Sequence, residues 1–358
     1  MDALFLKSFF PEIFLSIILL YQLLCNTRTV NSINNNFPIL NKEILFQCIF
    51  ISFSLLLLYV NQIINAYNAN FLFVNDISTC NIKILVILIF IFLIIIIWKS
   101  FVLQNICFFE YFTLIFLSLL GVLLLINAFD LITAYLVIEL QSLAFYILAC
   151  FIRTSSFGTE AGLKYFVLGA FTSGLFLLGA FFFYATLGTV NFNTAFMLLS
   201  LPLGEDNFYI MVGITLSSIF ILTTFLFKIA AVPFHFWAPD VYEGAPLSST
   251  IILSLLPKIA LFSFFIKWVT IFVPIIILLK YMLISIGIMT ILVGSYLAIS
   301  QKRLKRFVIY SSISQLGFLV VALSICTREG FLSVFFFFNY LYYFIYYFVG
   351  WYCRINLF

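Results

Sequence analysis

Charge is what this sequence has least of. Only 8% of its 358 residues are Asp, Glu, Lys or Arg, and there is one histidine, His235. So few charges exclude an ordinary soluble domain, whose surface is typically about one-quarter charged residues. The net charge of +4 does not argue for nucleic acid, because the basic residues fall in short connections between apolar runs. The seven cysteines are scattered and form no C-x-x-C pair, which argues against a zinc or iron–sulfur site and for buried thiols. No glycine-rich phosphate loop follows a strand, no nucleophile elbow is present, and no pair of carboxylates has glycosidase character. No signal or transit peptide is evident, and no stretch is long enough for a domain outside a membrane.

What is present in abundance is apolar length. Hydrophobic residues make up 65% of the chain, and the mean hydropathy is +1.24. A helix crosses the hydrocarbon core with about 20 apolar residues. Windows of that kind fall at 4–25, 43–60, 82–103, 110–128, 130–152, 160–187, 209–240, 247–269, 276–300, 304–325 and 331–353, which gives eleven spans. The connections 61–81 and 188–208 read as polar loops. Loops after odd-numbered spans carry Arg28, Lys42, Arg153, Lys302, Arg303, Lys305, Arg306 and Arg354, whereas those after even-numbered spans carry chiefly Lys83 and Arg328. The positive-inside rule places the odd side in the cytoplasm or an organelle matrix. Glycines 169, 174 and 179, with 287 and 294, read as sites of close helix packing. Heavy use of Phe, Ile and Asn, including four phenylalanines at 335–338, fits an AT-rich coding genome such as an organelle's.

The stretch 221–246, ILTTFLFKIAAVPFHFWAPDVYEGAP, organises the rest. Pro233 has no N–H to donate, and its ring crowds the carbonyl four residues back, at Ile229. The helix carrying Lys228 is therefore expected to bend or break just beyond it. Broken backbone at membrane depth survives only where protein or trapped water satisfies it. A cation beside such a break points to an ion or proton path. Glu139 sits in the middle of span five, where a carboxylate costs about 2.5–3.5 kcal/mol on insertion scales. Lys164 lies one turn into span six, four residues after Glu160, and Lys258 follows Pro257 in the middle of span eight. His235, just past the break, is a candidate relay. Together Glu139, Lys164, Lys228, His235 and Lys258 form a succession of exchangeable groups on neighbouring helices. The competing readings are fixed counter-ions, an interfacial pair for Lys164 and a satisfied core histidine. Glu12, after Pro11, shows no evident partner and reads as structural.

Four segments occur in order: EYFTLIFLSLLGVLLLINAFDLITAYLVIELQSLAFYIL, EAGLKYFVLGAFTSGLFLLG, FKIAAVPFHFWAPDVYEGAP and LKRFVIYSSISQLGFLVVAL. They resemble the antiporter-like membrane-arm subunits of NADH–ubiquinone oxidoreductase, respiratory complex I, and within them the chain 2 family. That resemblance implies an all-α bundle of two inverted five-helix repeats, each with one broken helix. It divides the chain into an N-terminal three-helix segment (1–109), a first repeat (110–270) and a partial second repeat (271–358). It also implies that Glu139, Lys164, Lys228 and Lys258 belong to a hydrated axis for protons. NADH, FMN, iron–sulfur clusters and ubiquinone are expected on other subunits, with no cofactor or metal in this chain. Expected partners are the other membrane-arm subunits and membrane lipids, and no nucleic acid. The family continues into a second broken helix with its own lysine, which this sequence does not contain. A separate chain supplying those helices is expected beside spans nine to eleven, with a truncated sequence as the alternative. The expected location is the mitochondrial inner membrane, with a bacterial plasma membrane as the alternative. The competing functions are a cation/proton antiporter subunit and a structural spacer.

Overall fold

The computed structural model describes residues 9–29, 49–58, 66–67, 72–103, 109–152, 154–200, 208–272, 277–338 and 340. The described chain is nearly all helix. The helices are α1 (Phe10–Thr29), α2 (Ile49–Leu58), α3 (Ile77–Leu103), α4 (Phe109–Asn127), α5 (Leu131–Ala149), α6 (Ser156–Leu187) and α7 (Phe192–Ser200). They continue as α8 (Phe208–Lys228), α9 (Trp237–Gly244), α10 (Leu247–Phe272), α11 (Ile277–Ile299), α12 (Leu304–Ser324) and α13 (328–338). Eight of them are long and apolar enough to cross a membrane. With α1, α2 and α13 they account for the eleven expected spans. The expected span residues 4–8, 43–48, 59–60, 276, 339 and 341–353, with the loop residues Lys42, Arg153 and Arg354, lie outside the described residues. In oil only structures that bond their own backbone are viable, which is why the apolar runs become helices.

Two features of the connections depart from expectation. The loop 188–208 contains a helix, α7, whose Phe192 and Ala195 are buried. The connection before α3 contains a two-stranded antiparallel pair, β1 (Ala66–Tyr67) with β2 (Val74–Asn75). The third span also begins at Ile77 rather than at residue 82. Lys83 therefore sits inside α3, fully buried, and not in a loop. Removing it from the even-side count sharpens the charge asymmetry.

The bundle has two polar ends. At one, the ends of α4 and α6 and the starts of α5 and α7 are tied by Phe129 N–H to the Leu72 carbonyl (3.0 Å) and Leu131 N–H to the Val190 carbonyl (3.2 Å). At the other, α6, α9 and α12 meet through ion pairs. Helices α4, α5, α6, α8 and α10 form the central body, with α1 and α3 packed on α4, and α3 also on α10. Helices α11 and α12 pack tightly on each other, and their main attachment to the body is α9. Close approach explains two of the glycines there. A Cβ on Gly287 would meet Val321 at 2.5 Å, and one on Gly317 would meet Thr290 at 2.3 Å. Gly174, by contrast, faces open space and makes no close contact.

Candidate functional site: buried cations at a helix break

Helix α8 ends at Lys228, earlier than Pro233 alone requires. Ala230 adopts the left-handed conformation (φ 61°). Its N–H bonds the Phe227 carbonyl at 2.9 Å, and the Ala231 N–H bonds the Leu226 carbonyl at 2.8 Å. This is a Schellman termination, which satisfies the last carbonyls of the helix. Alanine in that conformation costs about 1–2 kcal/mol relative to glycine's free choice. The Val232–Pro233 peptide is cis. Residues 229–236 form an irregular bridge, and α9 resumes at Trp237. The Trp237 indole N–H donates to the Phe227 carbonyl at 3.0 Å, which pins the second piece over the end of the first.

This geometry accommodates a cation. Lys228 lies in the last turn of α8, where the exposed carbonyl dipoles favour positive charge. Its Nζ lies 3.5 Å from the Tyr146 hydroxyl and 5.9 Å from that ring's centre. Glu139 occupies the same face of α5 as Tyr146, seven residues earlier. No ion pair joins Glu139 to Lys228 among the described residues, and Glu139 Oε1 is buried without a hydrogen-bond partner. Tyr146 is held edge-on against Tyr165 (4.8 Å), which stacks on Trp237 (5.0 Å). Gly169 makes this possible, because a Cβ there would lie 2.0 Å from the Tyr146 hydroxyl.

Beside Lys228 is a small cavity lined by Tyr135, Ile138, Thr172, Ser173, Phe176, Thr224, Phe225 and Leu261. It leaves about 10 Å³ for the centre of a water-sized sphere, room for one water. Thr172, Ser173 and Thr224 each donate to a carbonyl three residues back in their own helix. Their oxygen lone pairs remain able to accept. Lys258 is 6% exposed and stands three residues before Leu261, on the face of α10 that lines this cavity. No hydrogen bond or ion pair holds its ammonium among the described residues. Helix α10 passes through Pro257 without interruption.

Two expected members lie elsewhere. Lys164 is 41% exposed and pairs with Glu160 (2.8 Å) and Asp240 (3.0 Å). It lines a groove of about 480 Å³ between α6, α9 and α12, with Glu243, Arg303 and Arg306. Arg306 pairs with Asp240 at 3.3 Å, and both arginines pair with Glu243. Lys305 donates to the Ala245 carbonyl at 3.4 Å. His235 is 3% exposed, lies against Phe236 and has an unpartnered Nδ1. No hydrogen bond or ion pair joins either residue to Lys228 or Lys258 among the described residues.

Sequence reasoning missed two charges. Glu12, expected to lack a partner, pairs with Lys83 inside the bundle. Lys267 donates to the Ile126 (2.7 Å) and Ala128 (3.0 Å) carbonyls at the end of α4. The signal for the first was available: a lysine inside an apolar helix needs a counter-ion, and Glu12 was the in-span carboxylate left unassigned. Among the described residues, no cluster of His, Cys, Asp and Glu has the makings of a metal site.

Fold and site together define a polytopic helical membrane protein with one lysine at a helix break and another inside a neighbouring helix, neither paired with a carboxylate among the described residues. The family model described as the NADH:quinone oxidoreductase/Mrp antiporter transmembrane region matches residues 128–353, and the chain belongs to that family. It is 37% identical over 326 residues to NADH-quinone oxidoreductase subunit N of Pelagibacter ubique (strain HTCC1062), covering 91% of this chain and 66% of that protein. It is 42% identical over 228 residues to NADH-ubiquinone oxidoreductase chain 2 of Arabidopsis thaliana, covering 63% of this chain and 45% of that protein. The chain thus spans about two-thirds of the bacterial relative's length and under half of the plant relative's. Its fold is similar to a chain of respiratory complex I from Thermus thermophilus with bound aureothin (TM-score 0.70, 23% identity), over 93% of this chain and 70% of that one. A chain of the membrane-bound sulfane sulfur reductase, an archaeal respiratory membrane complex, is similar at a TM-score of 0.69 and 22% identity, over 90% of this chain and 65% of that one.

Proposed function

We propose that the chain is a proton-translocating membrane-arm subunit of an NADH:quinone oxidoreductase, coupling quinone reduction elsewhere in the assembly to proton movement. One observation carries this reading: Lys228, at the end of α8, lines an internal cavity beside three hydroxyls, buried Lys258 stands one turn from the Leu261 that also lines it, and among the described residues no carboxylate is bonded to either lysine. Removal from water disfavours an ammonium ion, and a lysine, unlike an arginine, can then give up a proton. Lys228 releases a proton to a cavity water, the hydroxyls of Thr172, Ser173 and Thr224 accept from that water, and Lys258 takes the proton up. Glu139 sets the balance, because its ionised form favours a protonated Lys228. Movement of the bridge 229–236 changes how far Lys228 sits from that carboxylate. Lys164 and His235 enter at the odd-side end and at the bridge. NADH, FMN, iron–sulfur clusters and ubiquinone belong to other subunits in this reading, and the chain itself holds no redox centre.

The enzyme sits in a mitochondrial inner membrane in this reading, supported by the plant chain 2 likeness and the AT-rich residue usage, with a bacterial plasma membrane as the alternative. A neighbouring polypeptide covers α11 and α12, whose outward faces expose Ile288, Met289, Leu292, Tyr296 and Phe318. Co-purification that yields no chain cross-linked to those residues removes that part. Replacing Lys228 with Met tests the main reading. The assembled complex is expected to oxidise NADH while moving fewer protons per NADH than the parent. An unchanged ratio favours a structural spacer. A cation/proton antiporter subunit is the reading left if the chain does not co-migrate with NADH dehydrogenase activity on a native gel.

A further inference from the structure

The Glu12–Lys83 pair stands at the far end of the bundle from the Lys164 groove, and the path above does not use it. The two side chains are 4% and 0% exposed. Lys83 Nζ also donates to Asn75 Oδ1 at 3.1 Å, and Asn127 Nδ2 donates to Glu12 Oε1 at 3.3 Å. Asn75 and Asn127 are fully buried. Yet three of these groups each keep one buried atom without a partner: Glu12 Oε2, Asn75 Nδ2 and Asn127 Oδ1. A buried polar atom left dry is destabilising, and such atoms are rare. Turning either amide over is no remedy. It would aim the Asn75 amino group at the Lys83 ammonium, or the Asn127 oxygen at the Glu12 carboxylate.

Two acceptors and one donor make the complement of a water molecule, which gives two hydrogens and accepts from one or two donors. A metal cation does not fit, since Asn75 Nδ2 is a donor and Lys83 already supplies positive charge. The surrounding charged and titratable groups are Asp76 and Cys80 on the α3 side and Lys267 on α10. The Cys80 thiol donates to Asn75 Oδ1 at 3.3 Å. Lys267 caps the carbonyls on either side of Asn127 and shares α10 with Lys258. Nine residues separate those lysines, about 14 Å along the helix axis. Lys267 thus stands between the Lys258 level and the Asn127 end of the bundle.

We propose that Glu12, Asn75 and Asn127 hold one internal water, and that this hydrated Glu12–Lys83 pair is a second proton-carrying site, on the side opposite the basic loops. The step is balanced. An N–H bond of Lys83 breaks and an O–H bond of Glu12 forms across their direct hydrogen bond, with the water on the other carboxyl oxygen, leaving a neutral amine and a carboxylic acid, and the reverse step reloads the pair. The proton role rests on the translocation reading above, while the water site stands apart from it. Two experiments decide. In the assembled complex in vesicles, Lys83→Arg keeps the charge and the pairing but cannot release a proton. It is expected to lose the same share of protons per NADH as Lys228→Met, with NADH oxidation kept. Parent-level pumping by Lys83→Arg, alongside a deficit in Lys228→Met, overturns the second site alone. Parent-level pumping by Lys228→Met overturns the translocation reading itself. A density map of the unmodified complex that shows waters decides the rest, even if the arginine variant does not assemble. Water is expected within about 3.2 Å of Glu12 Oε2, Asn75 Nδ2 and Asn127 Oδ1, and a dry site overturns the proposal.

Discussion

Two clusters of opposite charges hold the two ends of this bundle, and they are built differently. The Glu12–Lys83 pair is sealed in, at 4% and 0% exposure. The Lys164–Asp240–Arg306–Glu243–Arg303 groove is half in water, with exposures from 19% to 71%. The same pairing chemistry therefore has different consequences. Inside, each charge depends on its partner, because an unpaired ion in a low-dielectric interior is strongly destabilising. In the groove water screens every pair, so each is weak, but together they tie α6, α9 and α12. Between the two ends lie Lys228 and Lys258, with no carboxylate bonded to either. Charges at the ends are held by opposite charges, and among the described residues those in the middle are not.

The largest effect should come from breaking the sealed pair. Lys83→Met leaves Glu12 buried and alone, at a cost of about 3–5 kcal/mol. Lower thermal stability of the purified complex, or reduced assembly on a native gel, would register it. Gly169→Ala comes next. The new methyl group would overlap the Tyr146 hydroxyl, forcing that ring away from Lys228. Overpacking of this kind costs about 1–3 kcal/mol, and a melting curve together with proton counts per NADH would show both the strain and the functional loss. Glu243→Gln should cost less, up to about 1 kcal/mol for each screened pair with Arg303 and Arg306. The smallest effect is a pH dependence at the same residue. Partial burial pushes the Glu243 carboxyl up, but hydrogen bonds and charge from Arg303 and Arg306 outweigh that and hold it below its ordinary value of 4.5. A depressed carboxylate contributes stability above its unfolded value and loses it as pH falls through the folded one. The stability gap between parent and Glu243→Gln should therefore be full above pH 4.5 and close below it. A gap that widened on acidification would contradict the assignment.

Much of this was legible because apolar length and proline carry their physics locally. Each of the eleven apolar windows holds helix among the described residues, the seventh as two pieces, α8 and α9, and Pro233 marked the break between them. The exact end of α8 was not legible, since it depends on Ala230 entering the left-handed region, which an alanine does not announce. The uninterrupted α10 shows the converse: Pro257 forfeits one N–H and the surrounding bundle holds the helix together. Spacing within one helix gave the Glu160–Lys164 pair. Partners far apart in sequence were hidden, as with Glu12 and Lys83, 71 residues apart. Counting Lys83 as a loop residue concealed that pair, because a residue placed in water needs no partner. Tyr146 was missed for a related reason: a tyrosine in an apolar run looks like packing until Gly169 lets it reach Lys228.

The central claim is that Lys228 works by giving up its proton, and Lys228→Arg tests it most directly, because the charge stays while proton release is blocked. Protons moved per NADH, measured on the assembled complex in sealed vesicles, should fall to the level of Lys228→Met. A Lys228→Arg complex that pumps at the parent ratio would show that a fixed positive charge suffices, and the account would be wrong.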